Sequence, residues 1–178
     1  MSKYDPQKHH RRSVRLKGYD YSQPGAYFVT TCVRDRECLL GDVVDGEMQM
    51  AEYGRVAHDF WARVPVHFSD VSIDTFVVMP NHVHAIIMIH EPRRGGVTPP
   101  LRQPTLGQIV AYYKYQTTKQ INEIRDNAGT PFWQRSFYDH VIRHHRELDA
   151  VRQYIANNPL KWELDRDNPI NIHTDRRR

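Results

Sequence analysis

Cysteine is nearly missing from this chain. Two thiols in 178 residues, Cys32 and Cys38, cannot build a disulfide framework, and their spacing fits no zinc-binding pair. Long apolar runs are missing as well. Nothing approaches the roughly 20 consecutive apolar residues of a membrane-spanning helix, and the first residues are charged where a secretory leader would be apolar. No internal repeat is visible. Together these absences lead us to expect a soluble, cytoplasmic protein with free thiols and no membrane partner.

What is present is enough for one domain with a real core: 39% of the residues are hydrophobic and 11% aromatic. Positive charge is in excess by 4, with an isoelectric point near 9.1, and it is unevenly placed. Residues 1–17 hold Lys3, Lys8, Arg11, Arg12, Arg15 and Lys17 against Asp5 alone, and the chain closes on Arg176, Arg177 and Arg178. Basic ends on a balanced body suit a polyanion, although solvated tails have the same composition. We therefore read a basic arm over 1–20, a folded body over 21–164 and a basic tail over 165–178.

Within the body, "AYFVTTCVR" (Ala26–Arg34) is aromatic and β-branched after the turn signal Pro24-Gly25, and reads as a strand. "CLLGDVVDGEMQM" reads as a strand, a turn at Asp45-Gly46 and a return. Tyr53, Val56, Ala57, Phe60, Trp61 and Val64 recur at three- and four-residue spacing, the mark of an amphipathic helix. Val71–Met79 and His82–Ile89 are two strands around the break Pro80-Asn81. The stretch 92–104 has four prolines, two glycines and three arginines, and reads as a flexible loop. Thr105 is a suitable N-cap for a helix to about Arg125, with Ile109, Tyr113, Thr117, Ile121 and Ile124 on one side. "FWQRSFYDHVIR" (Phe132–Arg143) is strand-like or irregular, and Arg146–Pro159 is a last helix stopped by its proline. This order favours an α+β fold, an antiparallel sheet with helices mainly on one face.

The stretch "MPNHVHAI" (Met79–Ile86) sets two imidazoles one residue apart in an apolar strand. Side chains at i and i+2 leave the same face of a strand, so His82 and His84 can converge on one divalent ion while Val83 points into the core. Two packed, unrelated histidines are the alternative. Two ligands are not a site, and the last helix offers more. Tyr154 and Asn158, at i and i+4, share one helical face, with Tyr154 flanking the apolar stripe Leu148, Val151 and Ile155. A half-buried tyrosine and a C-terminal cap before Pro159 are their bland readings.

These pieces carry a resemblance. "MPNHVHAI", a basic helix, "FWQRSFYDHVIR" and "YIANNPLKW", in that order from about Tyr27 to Trp162, resemble the REP-associated tyrosine transposases, one-tyrosine HUH enzymes that act on single-stranded DNA. The resemblance implies a ferredoxin-like sheet with the histidine pair on a central strand and a helix that presents the nucleophile. By position, His82 and His84 match the metal pair and Tyr154 the nucleophile. Asn158 falls where related transposases more often carry glutamine, a departure at the third ligand. Two imidazoles and an amide oxygen would leave most of the charge of a Mg²⁺ or Mn²⁺ ion available to polarise a phosphate. The implied partner is single-stranded or hairpin DNA at palindromic repeats, handled by a monomer or a homodimer. Arg11, Arg12 and Arg15 of the arm, Lys114 and Lys119 of the basic helix, and Arg143, Arg146 and Arg152 are the candidate DNA contacts; solvated charge is the alternative for each. His140 is a packed residue, a DNA contact or a supporting group. Two other classes stay open, a non-enzymatic nucleic-acid-binding module and a metal-dependent hydrolase, for which Asp74 and Glu91 are the acids near the histidine strand.

Overall fold

The computed structural model describes residues 16, 18–92, 103–165 and 168–172. Most of the expected basic arm, the 93–102 part of the expected loop and the last six residues lie outside them, so Arg11, Arg12 and Arg15 are not placed. Strand β1 (Gly25–Cys32) leads to the hairpin β2 (Gly41–Val44) and β3 (Glu47–Met50). Its turn is at Asp45-Gly46, both at positive φ (52° and 76°), the conformation that Asp-Gly supplies in two-residue hairpins. Helix α1 (Glu52–His67) follows, then β4 (Val71–Met79), β5 (His82–Ile89), α2 (Leu106–Ile124), β6 (Tyr138–Ile142), α3 (His145–Ala156) and the short α4 (Pro169–Ile172).

The main sheet is antiparallel, ordered β4-β5-β1-β6, with β5 in its interior. One face is closed by the two long helices. Val56, Ala57, Trp61 and Val64 of α1 and Ile109, Val110, Tyr113 and Ile121 of α2 meet Tyr27, Val29, Val83, Ala85 and Ile87 in one apolar cluster. The Trp61 and Tyr113 rings stack at 4.1 Å. The Thr105 expectation holds: its side chain accepts from Gln108 N–H while the Gln108 side chain accepts from Thr105 N–H, a capping box. Of the side predicted for that helix, Ile109, Tyr113, Thr117 and Ile121 are buried, whereas Ile124 at its end is exposed.

Helix α3 lies on the opposite face. Leu148 and Ile155 close a smaller cluster with Ala26, Ile86 and Ile142, edged by Phe28, Val77, Met88 and Val151. The even-numbered residues of β5 therefore look toward α3 and the odd-numbered ones toward α1 and α2. Tyr19, within the stretch read as the arm, packs on the main core together with Tyr21 of the body. No helix among the described residues is long and apolar enough to cross a membrane.

Candidate active site

Strand β5 turns both histidines to the α3 face, where the antiparallel register sets His82 beside Cys32 and His84 beside Thr30. Both are buried. Their outer nitrogens are held by neutral partners. Asn81 Nδ2 donates to the Arg36 carbonyl at 3.1 Å, which turns Asn81 Oδ1 toward His82 Nδ1 at 2.8 Å. An amide oxygen only accepts, so Nδ1 of His82 carries the proton and Nε2 presents its lone pair to the site. Thr30 Oγ1 lies 2.8 Å from His84 Nδ1, and a hydroxyl serves either tautomer there.

The two Nε2 atoms are 3.0 Å apart. That suits one N–H···N bond, and it is also about the 3.0 Å between adjacent ligands of an octahedral ion bound at about 2.1 Å. Burial pushes His82 down to about 4; the Asp165 carboxylate pulls it partly back, and the Arg36 charge (downward) and Asn158 (upward) act more weakly. His84 is pushed well below its ordinary value by burial and by His82. Both rings are neutral at physiological pH, the form that ligates metals.

Helix α3 delivers the tyrosine. Tyr154 is 44% exposed, and its hydroxyl stands 3.3 Å from His84 Nε2. Phe28 forms the floor: it stacks on the His84 ring at 5.3 Å and meets the Tyr154 ring edge-on at 5.9 Å. One turn further, the helix is capped by Asn157 rather than Asn158. Asn158 heads the following 3-10 turn without a side-chain capping bond, so its bland reading as a cap finds no support. Its side chain is near enough to His82 to favour the protonated ring, yet its buried Oδ1 has no hydrogen-bond partner. Such an orphaned carbonyl oxygen is costly unless something binds it. Among the described residues no third histidine, cysteine or carboxylate completes a metal cluster. His82, His84 and Asn158 are the residues that could hold a hard divalent ion, and the orphaned oxygen beside a lone-pair nitrogen fits one.

The candidate DNA contacts are divided. Lys119, Arg143 and Arg146 are exposed. Lys114 is engaged otherwise: its Nζ donates to the Gln134 and Ser136 carbonyls at 2.7 and 2.9 Å, and burial pushes it down to about 8. Arg152 makes a two-pronged pair with Asp74 at 2.6 and 2.8 Å and reaches Asp149 at 3.0 Å. That pairing also occupies Asp74, one of the two acids a hydrolase could have used. His140 bonds Glu147, in the first turn of α3, at 2.7 Å. A surface cavity of about 630 Å³ at the end of α2 includes Lys119, Tyr115 and Glu123 and none of the histidine site.

Sequence reasoning did not single out Thr30, Asn81, Phe28, Arg36 or Asp165. Asn81 adjoins His82 and could have been suspected. The others depend on strand register and on loops that close over the site, for which the sequence has no signal.

This is a buried, neutral histidine pair on an interior strand, with an accessible tyrosine laid on it by a helix across an antiparallel sheet. The α+β fold is shared with a solved REP-associated tyrosine transposase bound to a REP hairpin, at a TM-score of 0.58 and 21% identity, over 83% of this chain and 73% of that one. No protein-family model matches. An uncharacterized protein of Haemophilus influenzae is 38% identical over 92% of this chain and 96% of its own length, and the chain belongs to one family with it. A second Haemophilus influenzae protein, provisionally named a REP-associated tyrosine transposase, is 26% identical over 80% of this chain and 74% of its own. The resemblance read from the four motifs is thus found again in sequence and in fold.

Proposed function

We propose that the chain is a metal-dependent single-stranded DNA endonuclease and transposase, which cleaves and rejoins strands at palindromic repeat hairpins through a 5′-phosphotyrosine. The observation that carries this reading is the approach of Tyr154 OH to His84 Nε2 at 3.3 Å, next to a second imidazole with a free lone pair. The hairpin substrate is the one named for the solved structural neighbour.

When bound by His82, His84 and Asn158, a Mg²⁺ or Mn²⁺ ion would polarise the scissile phosphate as a Lewis acid. The chain supplies the rest. Phe28 and the α3 packing hold the Tyr154 ring, so its oxygen needs no search for its target. A phenol with an ordinary pKa near 10 must shed its proton on attack. The oxygen–phosphorus bond then forms, the bond to the 3′ oxygen breaks, and that oxygen leaves as a hydroxyl after taking a proton. The phosphotyrosine keeps the phosphodiester linkage, so the reverse attack rejoins strands without ATP. His84 and Tyr154 meet within one chain.

Tyr154→Phe tests this directly. With hairpin DNA and Mg²⁺ the wild type should give a denaturation-resistant protein–DNA adduct, and the variant none, with hairpin affinity retained. An adduct on any other tyrosine, or cleavage without an adduct, would overturn the assignment.

A further inference from the structure

Tyr138 begins the edge strand β6 and pairs with Thr30, the residue that bonds His84. Along β6, Asp139 and Val141 turn to the α1/α2 face, while Tyr138 and His140 turn to the histidine face. His140 is tied to Glu147, but the Tyr138 hydroxyl makes no hydrogen bond among the described residues. Its ring is 45% exposed and stands edge-on to Phe28 at 6.1 Å. Phe28 thus meets two exposed tyrosines edge-on, Tyr154 at 5.9 Å and Tyr138 at 6.1 Å.

We propose that Tyr138 is a stacking platform for a nucleobase one or two positions from the phosphate that Tyr154 attacks. The inference rests on the reading of the site as a single-stranded DNA nuclease. A phosphate held at Tyr154 and His84 carries its neighbouring nucleotides across Phe28, toward the open edge of the sheet. Unpaired bases there expose their π-faces to water, and an upright aromatic ring on an edge strand offers the complementary surface whatever the base. Packing among the described residues gives little reason for a large ring at that position, because Phe28 is its one aromatic neighbour among them and nearly half of it stays in water.

The test uses a DNA hairpin with single-stranded tails and one 2-aminopurine walked along them. Wild type and Tyr138→Phe should quench the probe at one or two tail positions near the cleavage point. Tyr138→Ala should lose that quenching and bind about 5- to 150-fold more weakly, the factor for one base stack, with its melting temperature unchanged. At saturating DNA it should still form the Tyr154 adduct. Equal quenching and affinity in Tyr138→Ala and wild type would overturn the stacking assignment alone. Wild-type quenching with no adduct would sink the nuclease reading and leave the platform standing. Failure of wild type to bind the hairpin would overturn both.

Discussion

Along β5, Val83, Ala85 and Ile87 point under α1 and α2, while His82, His84 and Ile86 point under α3. The same strand thus serves two faces of different chemistry. The first is apolar, thick and closed by two long helices. The second has a thin apolar cluster at one end and, at the other, two imidazoles, a phenol and an amide held by neutral hydrogen bonds. Burying those polar groups weakens the fold, and the opposite face offsets the loss. A rigid, densely packed face is also what keeps the four groups in register, since a site on well-packed strands is held more tightly than one on loops. Changes on the two faces should therefore separate activity from stability.

The largest effect should come from His84→Ala. It removes the group shared by Thr30, His82 and Tyr154, so adduct formation with hairpin DNA and Mg²⁺ should fall below detection. The melting temperature should hold or rise, because a desolvated imidazole is lost. Parallel loss of folding would show that the two faces are not separable. On the other face, Trp61→Ala should cost about 3–5 kcal/mol in urea unfolding, since the ring is fully buried and stacked on Tyr113. The fraction that stays folded should keep its adduct chemistry, measured per folded molecule.

This asymmetry decides what could be read in advance. The apolar face was legible because it is written in local signals: the α1 and α2 stripes and the N-cap at Thr105. The histidine pair and Tyr154 were legible because two strand positions and one helical face fix their directions. The support around them was not, because Thr30 meets His84 only through the β1–β5 register, which depends on the whole sheet. The segment 132–143 stayed ambiguous for a physical reason. Its first half contributes one isolated bridge at Trp133, and only Tyr138–Ile142 forms a strand. The pairing of Arg152 with Asp74 had no signal in the sequence, because the two lie 78 residues apart.

A smaller effect should follow pH in metal-free protein. Folded His82 takes up its proton near pH 4, whereas an exposed imidazole of the unfolded chain does so near 6.5. Between those values the unfolded state binds more protons, so stability is full above about pH 6.5 and declines as the pH falls toward 4. His84 acts in the same direction. Thermal unfolding of wild type and His82→Gln over that range checks it: the variant should lose less stability on acidification. An equal slope would assign the acid sensitivity elsewhere.

The smallest effect concerns how α3 is held. Asp74 is the extra residue of a bulge between Ile73 and Thr75 on β4, and it receives two hydrogen bonds from Arg152, two residues before Tyr154. The guanidinium also lowers the Asp74 pKa, so the pair is charged at neutral pH. Exposed ion pairs contribute little stability, and Asp74→Asn should barely move the melting temperature. Its consequence should appear in placement. Loosening the helix near Tyr154 lets its hydroxyl drift from His84, and a drift of about 1 Å can slow a positioned reaction by up to about 100-fold. Single-turnover adduct formation at saturating hairpin should therefore slow in Asp74→Asn and Arg152→Gln alike, with unchanged affinity. The double variant Asp74→Arg/Arg152→Asp should recover part of the rate. If the single variants instead weaken hairpin binding while the rate at saturation holds, Arg152 touches DNA and the helix needs no clamp.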